Sequence, residues 1–273
     1  MFVTNIGPVG IYISKSDSSY LSFTPVGMEN VQLVDPWELD YDDTTSTLYW
    51  YDDGKMSIER YSFDTNQHDV LFSFIYYVRL AVDGPGKKLY LTLDVGNTRR
   101  VIGVINLDGI DLRTLIDTGL IYPYAIAIDT TNGYLYWTDA ELERIERVKL
   151  NDLSTRTALV TTGLSYPTGL VLAVPDGKMY WCGYKKRMIG EANLDGSNRR
   201  TITLSEKARP YNIDIYRNYL YWTDYGGDIY RVDRKTGISS NQTSDSRLNT
   251  PHGLYIFKSK YSKLKYLNEI AVN

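Results

Sequence analysis

The stretch Leu135-Tyr136-Trp137-Thr138-Asp139 returns along the chain, and that return constrains the fold more than any other feature. Leu220-Tyr221-Trp222-Thr223-Asp224 is a second full copy, and Leu48-Tyr49-Trp50-Tyr51-Asp52 departs only at the Thr position. Met179-Tyr180-Trp181-Cys182-Gly183 and Leu89-Tyr90-Leu91-Thr92-Leu93 are weaker copies, and Phe2-Val3-Thr4-Asn5 is weaker still. The first aromatic or its equivalent falls at 2, 49, 90, 136, 180 and 221, giving steps of 47, 41, 46, 44 and 41 residues. A period of that size belongs to a propeller or a solenoid.

A second phrase precedes each motif: a proline followed by alternating apolar residues. It reads Pro36-Trp37-Glu38-Leu39, Pro123-Tyr124-Ala125-Ile126, Pro167-Thr168-Gly169-Leu170, Pro210-Tyr211-Asn212-Ile213 and Pro251-His252-Gly253-Leu254, with Tyr77-Val78-Arg79-Leu80 as a copy lacking the proline. Alternation with period two predicts a strand, and proline suits a strand's first residue, where no ladder donor is needed. Gly and Ala at 125, 127, 169 and 253 leave room for large residues of a neighbouring sheet. Short polar links such as Thr130-Thr131-Asn132-Gly133 predict a hairpin into the motif strand. A third strand follows at Ile58-Glu59-Arg60, Ile145-Glu146-Arg147 and their equivalents, and a fourth follows an Asp-Gly type turn. Four antiparallel strands per repeat make a propeller blade, so the expected fold is all-β: a six-bladed β-propeller forming one domain over residues 1–273. The last Pro-led strand has no motif after it and the first motif has no Pro-led strand before it, so the two ends are expected to share a blade.

Bulk properties set the limits on function. A hydrophobic content of 43% supports a large core, and no apolar run reaches the length of a membrane span. A net charge of −3 offers no general attraction for nucleic acid and mildly favours a basic partner. Cys182 is the only cysteine, which excludes an internal disulfide or a thiolate zinc cluster, and it reads as an inert half-buried thiol. Met1-Phe2-Val3-Thr4 lacks the pattern of a secretory signal, so an excised domain or a cytoplasmic chain is expected.

The motif, the Pro-led strand, the Ile-x-Arg of the third strand and the Asp-Gly turn, all in register over nearly the whole chain, closely resemble the YWTD propeller, the class B repeat of the low-density-lipoprotein receptor family. The Gly-His phrase of WD-repeat propellers is absent, since His68 and His252 are the only histidines. The resemblance implies a non-enzymatic, extracellular or cell-surface recognition domain that binds a protein or peptide on one end of the ring, with no cofactor, no nucleic acid and no membrane insertion, as a monomer. The family's binding positions fall here on Asp35, Trp37, Tyr76, Tyr122, Tyr124, Tyr166, Thr168, Arg209, Tyr211, Thr250 and His252 beside the Pro-led strands. Between the second and third strands they fall on Asp53, Glu141, Glu143, Tyr184, Lys185, Arg187 and Tyr225. Aromatic residues with a few charges are what protein interfaces favour. The alternative is tyrosines that only close the core between blades.

The copies also inform one another. Asp52, Asp139 and Asp224 occur where the third strand carries Arg60, Arg147 and Arg231; copies ending in Asn5, Leu93 or Gly183 lack the arginine. An ion pair or shared network between the two strands is therefore expected. A competing function is a calcium-dependent hydrolase or lactonase, with Glu38, Asp40, Asn212 and Asp214 as oxygen ligands in the central channel. No histidine is placed beside them for acid-base work, and a water-filled channel is the simpler reading. Tyr184-Lys185-Lys186-Arg187 could meet an acidic partner but reads first as a solvated loop. His252 reads as an ordinary packed or solvated histidine rather than a switch at endosomal pH. Asn241-Gln242-Thr243 is a glycosylation sequon, and the basic tail Lys258–Lys263 is expected to fray.

Overall fold

Each Pro-led strand forms the innermost strand of a four-stranded antiparallel sheet, and six such sheets stand around one channel. The structure, a computed structural model, describes residues 1–6, 9–14, 21, 23–96, 99–242 and 251–256. Thr243, Thr250 and the Lys258–Lys263 tail lie outside these. Blade 1 runs inside to outside through Pro36–Asp42, Thr47–Asp52, Ser57–Ser62 and Gln67–Ser73. Blades 2 to 5 repeat the pattern with inner strands Tyr76–Asp83, Pro123–Asp129, Pro167–Ala173 and Pro210–Tyr216. In blade 6 the C-terminal Pro251–Tyr255 is the inner strand and pairs with the N-terminal Phe2–Ile6, so both termini close the ring in one sheet, as expected.

The core lies between blades. Six apolar clusters each join two neighbours: Leu89, Leu91 and Val101 of blade 2 with Tyr49 and Ile58 of blade 1, for example, and Trp222 and Leu220 of blade 5 with Ile189 and Cys182 of blade 4. Trp50, Trp137 and Trp222 are buried to 1% or less, at the centre of this packing. Glycine permits the close approach of the sheets: a Cβ on Gly169 would stand 2.9 Å from the backbone nitrogen of Ile213 in the next blade.

The motif threonine joins blades by its hydroxyl. Thr138 Oγ1 accepts from Ala125 N–H in its own blade at 2.9 Å and donates to Thr168 O in the next at 3.5 Å. Thr223 likewise accepts from Asn212 N–H and donates to His252 O, and Thr4 accepts from Gly253 N–H and donates to Trp37 O across the closure. Cys182 takes this place in blade 4, fully buried with its thiol pushed up by burial, which is the inert sulfur anticipated.

The motif aspartate does not pair with the arginine of the third strand. In the register Asp139 lies opposite Arg144, whereas Arg147 lies opposite Tyr136, three positions back along the strand. The Asp139 carboxylate accepts from the N–H groups of Ile121, Tyr122 and Leu142 at 2.8, 3.0 and 3.0 Å, so it ties the start of the Pro-led strand to the turn after the motif. Asp52 does the same for Val34, Asp35 and Lys55, and Asp224 for Arg209 and Gly226. Arg147 instead donates to Leu194 O of the next blade at 3.0 Å. Asp and Arg thus recur together because both belong to the complete repeat, each doing a separate job. In blade 4, where Gly183 replaces the aspartate, Tyr184 N–H and Lys185 N–H bond directly to the carbonyls of Tyr166 and Ser165.

Asp139→Ala should cost about 2 kcal/mol or more, since it strands buried backbone donors. The cycle with Arg147→Ala should be additive within about 0.5 kcal/mol by urea denaturation, and a larger coupling would restore the ion pair. Trp222→Ala should cost about 3–5 kcal/mol in the same assay.

Candidate functional site

The aspartate network fixes one end of the ring, where the Pro-led strands begin and the motif strands end. Six tyrosines form a closed circuit there. Centroid separations run Tyr122–Tyr166 6.4 Å, Tyr166–Tyr184 6.3 Å, Tyr184–Tyr225 6.3 Å, Tyr225–Tyr211 6.4 Å, Tyr211–Tyr124 5.8 Å and Tyr124–Tyr122 5.6 Å. Trp37 and His252 extend it, stacked on each other at 4.4 Å with His252 edge-on to Tyr211 at 5.4 Å. Of the ring-bearing residues and Arg209 expected from sequence, ten in all, eight are thereby in one continuous aromatic surface. The other two differ: Tyr76, 48% exposed, has no ring contact among the described residues, and Arg209 is an exposed cation on the rim. Exposure also varies within the surface, since Tyr211 and His252 are each 8% exposed while Tyr225 is 61% exposed.

Arg79 closes the channel beneath the circuit. Its Nη2 donates to the hydroxyls of Tyr124 and Tyr211 at 2.8 and 2.6 Å, and its Nε stands 3.3 Å from Glu38. The guanidinium carbon lies 4.5 Å from the Tyr124 ring centroid, a cation-π contact in a desolvated place. Asn212 donates to the other Glu38 oxygen at 3.1 Å. Sequence reasoning passed over Arg79, although a signal was present: two residues after the proline position the copies read Glu38, Arg79, Ala125, Gly169, Asn212 and Gly253, and a lone cation among small or acidic residues facing a channel has to be paired. Arg100 was also missed; its guanidinium lies 3.7 Å from the Tyr122 centroid and donates to Ile121 O.

Burial pushes the Glu38 carboxyl up to about 7, even with Arg79 and Asn212 stabilising its anion. Burial, and then the charge of Arg79, push the His252 imidazole down to about 4, so it stays neutral at endosomal pH. Below the plug the channel holds a cavity of about 350 Å³ with mixed walls, where Asp40, Asn212 and Asp214 stand among Leu80, Ile126 and Leu170, opening towards Asp43, Thr44, Pro85 and Thr130 at the hairpin end. The four oxygen ligands considered for calcium do not converge. Asp40 accepts from Tyr41 N–H and Val82 N–H, Asp214 accepts from Ile215 N–H and Ile256 N–H, and Glu38 faces a guanidinium that would repel a cation. Among the described residues no three His, Cys, Asp or Glu side chains are grouped to hold a metal.

Comparison with known proteins places this geometry. The profile of the low-density lipoprotein receptor repeat class B matches residues 133–172. The chain is 35% identical over 221 residues to low-density lipoprotein receptor-related protein 5 of Mus musculus, a match covering 77% of this chain but 13% of that protein's length. Among solved structures, a chain of a nidogen/laminin complex superposes with a TM-score of 0.77 at 20% identity, covering 92% of this chain and 95% of the other. A gluconolactonase from Xanthomonas campestris superposes at 0.65 with 15% identity, covering 93% and 90%. At those identities the two structures speak for the fold alone.

The two perturbed groups act in opposite directions on stability. Glu38 binds its proton more tightly when folded, so its contribution is lost as pH rises from its usual value near 4.5 through about 7. His252 resists its proton when folded, so its contribution is lost as pH falls from 6.5 through about 4. Between these limits the slopes offset. Glu38→Gln should therefore gain stability as pH rises from 4.5 to 6.5, and His252→Gln should lose it, each by at most about 1.4 kcal/mol per pH unit in urea melts. Parallel profiles for both variants and the parent chain would refute the assignment.

Proposed function

Because the chain is a six-bladed propeller built on low-density lipoprotein receptor class B repeats, we propose that it is a non-enzymatic recognition domain that binds a protein or peptide over the tyrosine circuit. On this reading residues 1–273 are one domain, monomeric, from an extracellular or cell-surface protein, without a cofactor and without affinity for nucleic acid. The observation that carries it is the distribution of exposed apolar side chains. Of the eleven large ones among the described residues, seven (Val9, Val34, Phe74, Tyr76, Val95, Ile121 and Tyr225) stand at the end of the ring bearing the circuit. Apolar surface concentrated on one face beside aromatic rings is the composition of an interface core. Phe74 is 83% exposed and held at a φ of 62°, a conformation that costs energy in a bulky residue and recurs at functional positions. A hydrolytic channel is the weaker reading, because Arg79 stands where the metal and the attacked carbonyl would have to meet. Among the described residues no helix is long and apolar enough to cross a membrane.

The test is a pull-down from extracellular extracts with the purified chain, followed by affinity measurement on the captured partner. Tyr76→Ala and Tyr225→Ala, both at exposed positions, should each weaken binding about ten-fold or more. Thr131→Ala, in a hairpin at the opposite end, should leave it unchanged. Loss with Thr131→Ala and indifference to the two tyrosines would put the binding face elsewhere.

A further inference from the structure

One sector of this face differs from the rest in charge. The turn after the blade 4 motif carries Lys185, Lys186 and Arg187, and the segment leading into blade 5 carries Lys207 and Arg209, against a single carboxylate, Glu206. Among the described residues none of these five cations is in an ion pair. Seven arginines elsewhere in the propeller contrast with this: Arg60, Arg79, Arg100, Arg144, Arg156, Arg200 and Arg234 each face a carboxylate.

The two basic segments are held beside each other and beside aromatic rings. Tyr184 and Tyr225, one from each blade, meet at 6.3 Å, and Tyr225 N–H bonds to Arg209 O at 3.0 Å. Lys185 Nζ lies 4.6 Å from the centroid of Tyr166, and its backbone N–H is bonded to Ser165 O. Ser165, Tyr166 and Arg187 all adopt positive φ, at 60°, 59° and 54°, so the turn is held in one demanding conformation. The presentation is built: four of the five cations are exposed, on a pinned backbone, around a tyrosine that is 61% exposed.

From this arrangement we infer that blades 4 and 5 form an anion-recognising half of the binding face, docking an acidic segment of a protein partner whose Asp or Glu side chains pair with Lys185, Lys186 and Arg209 while its backbone crosses Tyr225. The inference rests on the proposed function and narrows its partner. The opposite half, with Asp35 and Asp53 of blade 1, supplies the contrasting sign, so the face has a charge polarity that orients an incoming chain. A peptide fits better than a sulfated glycan. The cations occupy a compact patch bordered by aromatic rings and by Glu141 and Glu143 of blade 3, whereas an extended polyanion calls for a long uninterrupted basic strip.

The test pans a phage-displayed library of short random peptides on the full chain, then measures the enriched peptides by fluorescence polarisation. The same measurement is made on the triple variant K185E/K186E/R209E, on Tyr225→Ala, and with a heparin fragment as second probe. The expected result is enrichment of Asp and Glu, affinity reduced about ten-fold or more by the triple variant at unchanged Tm, and weakening between about 50 and about 200 mM salt. Peptides lost on Tyr225→Ala but free of acidic enrichment and indifferent to the triple variant would overturn the charge assignment and leave the face standing. Peptides indifferent to both variants, or a panning that enriches nothing, would overturn both. Tighter binding of the heparin fragment, lost in the triple variant, would overturn the peptide reading in favour of a glycan.

Discussion

In blades 1, 3 and 5 the backbone N–H groups leading into the inner strand converge on the motif carboxylate. A buried carboxylate accepting two or three backbone N–H bonds is stabilised by local dipoles without any cation. Asp52 and Asp139 are both 0% exposed and spend their oxygens in this way. Everything displayed on the aromatic end depends on it, because Tyr122 is itself one of the bonded residues, and Tyr124 follows two positions later. Blade 4, with Gly183 in the aspartate's place, keeps the strand-start bond that the other blades share and adds a second one from Lys185 N–H to Ser165 O, with the Lys185 ammonium over the Tyr166 ring.

Packing between blades supplies the cohesion that no single blade has. A lone four-stranded sheet of this size exposes both faces, and it becomes stable when each face is covered by a neighbour. The buried tryptophans and the threonine hydroxyl bridges do this at successive levels, and the shared blade of the two termini leaves no uncovered face in the ring. Apolar burial and hydrogen bonding are therefore coupled: where Thr4 reaches Trp37 O the contact is lined by Gly253, on which a Cβ would stand 2.9 Å from that same oxygen.

The centre of the mouth balances three costs of desolvation. Arg79 keeps its charge on burial, since a guanidinium does not deprotonate in the physiological range, and so it gathers Glu38, two phenols and aromatic faces around it. Glu38 and His252 yield instead, one towards its protonated and the other towards its neutral form, which lowers the number of charged groups that the mouth has to bury. The plug separates an aromatic, interface-like end from a channel of mixed lining open at the other end.

Strand order, blade count, ring closure and the residues of the aromatic end were legible in the sequence, because strand period, proline placement and the repeat length are local properties that each copy states again. The tryptophans at the blade contacts could be named for the same reason. The pairing of Asp with Arg could not be read correctly, since co-occurrence in a repeat does not reveal the antiparallel register that puts Arg147 three ladder positions away from Asp139. Nor could the role of Arg79, whose partners Glu38, Tyr124 and Tyr211 come from three other blades and are 41, 45 and 132 residues away. Local chemistry determined what each repeat is; convergence at the axis, where six distant strands share one small space and charges must be paired out of water, was decided by the tertiary structure alone.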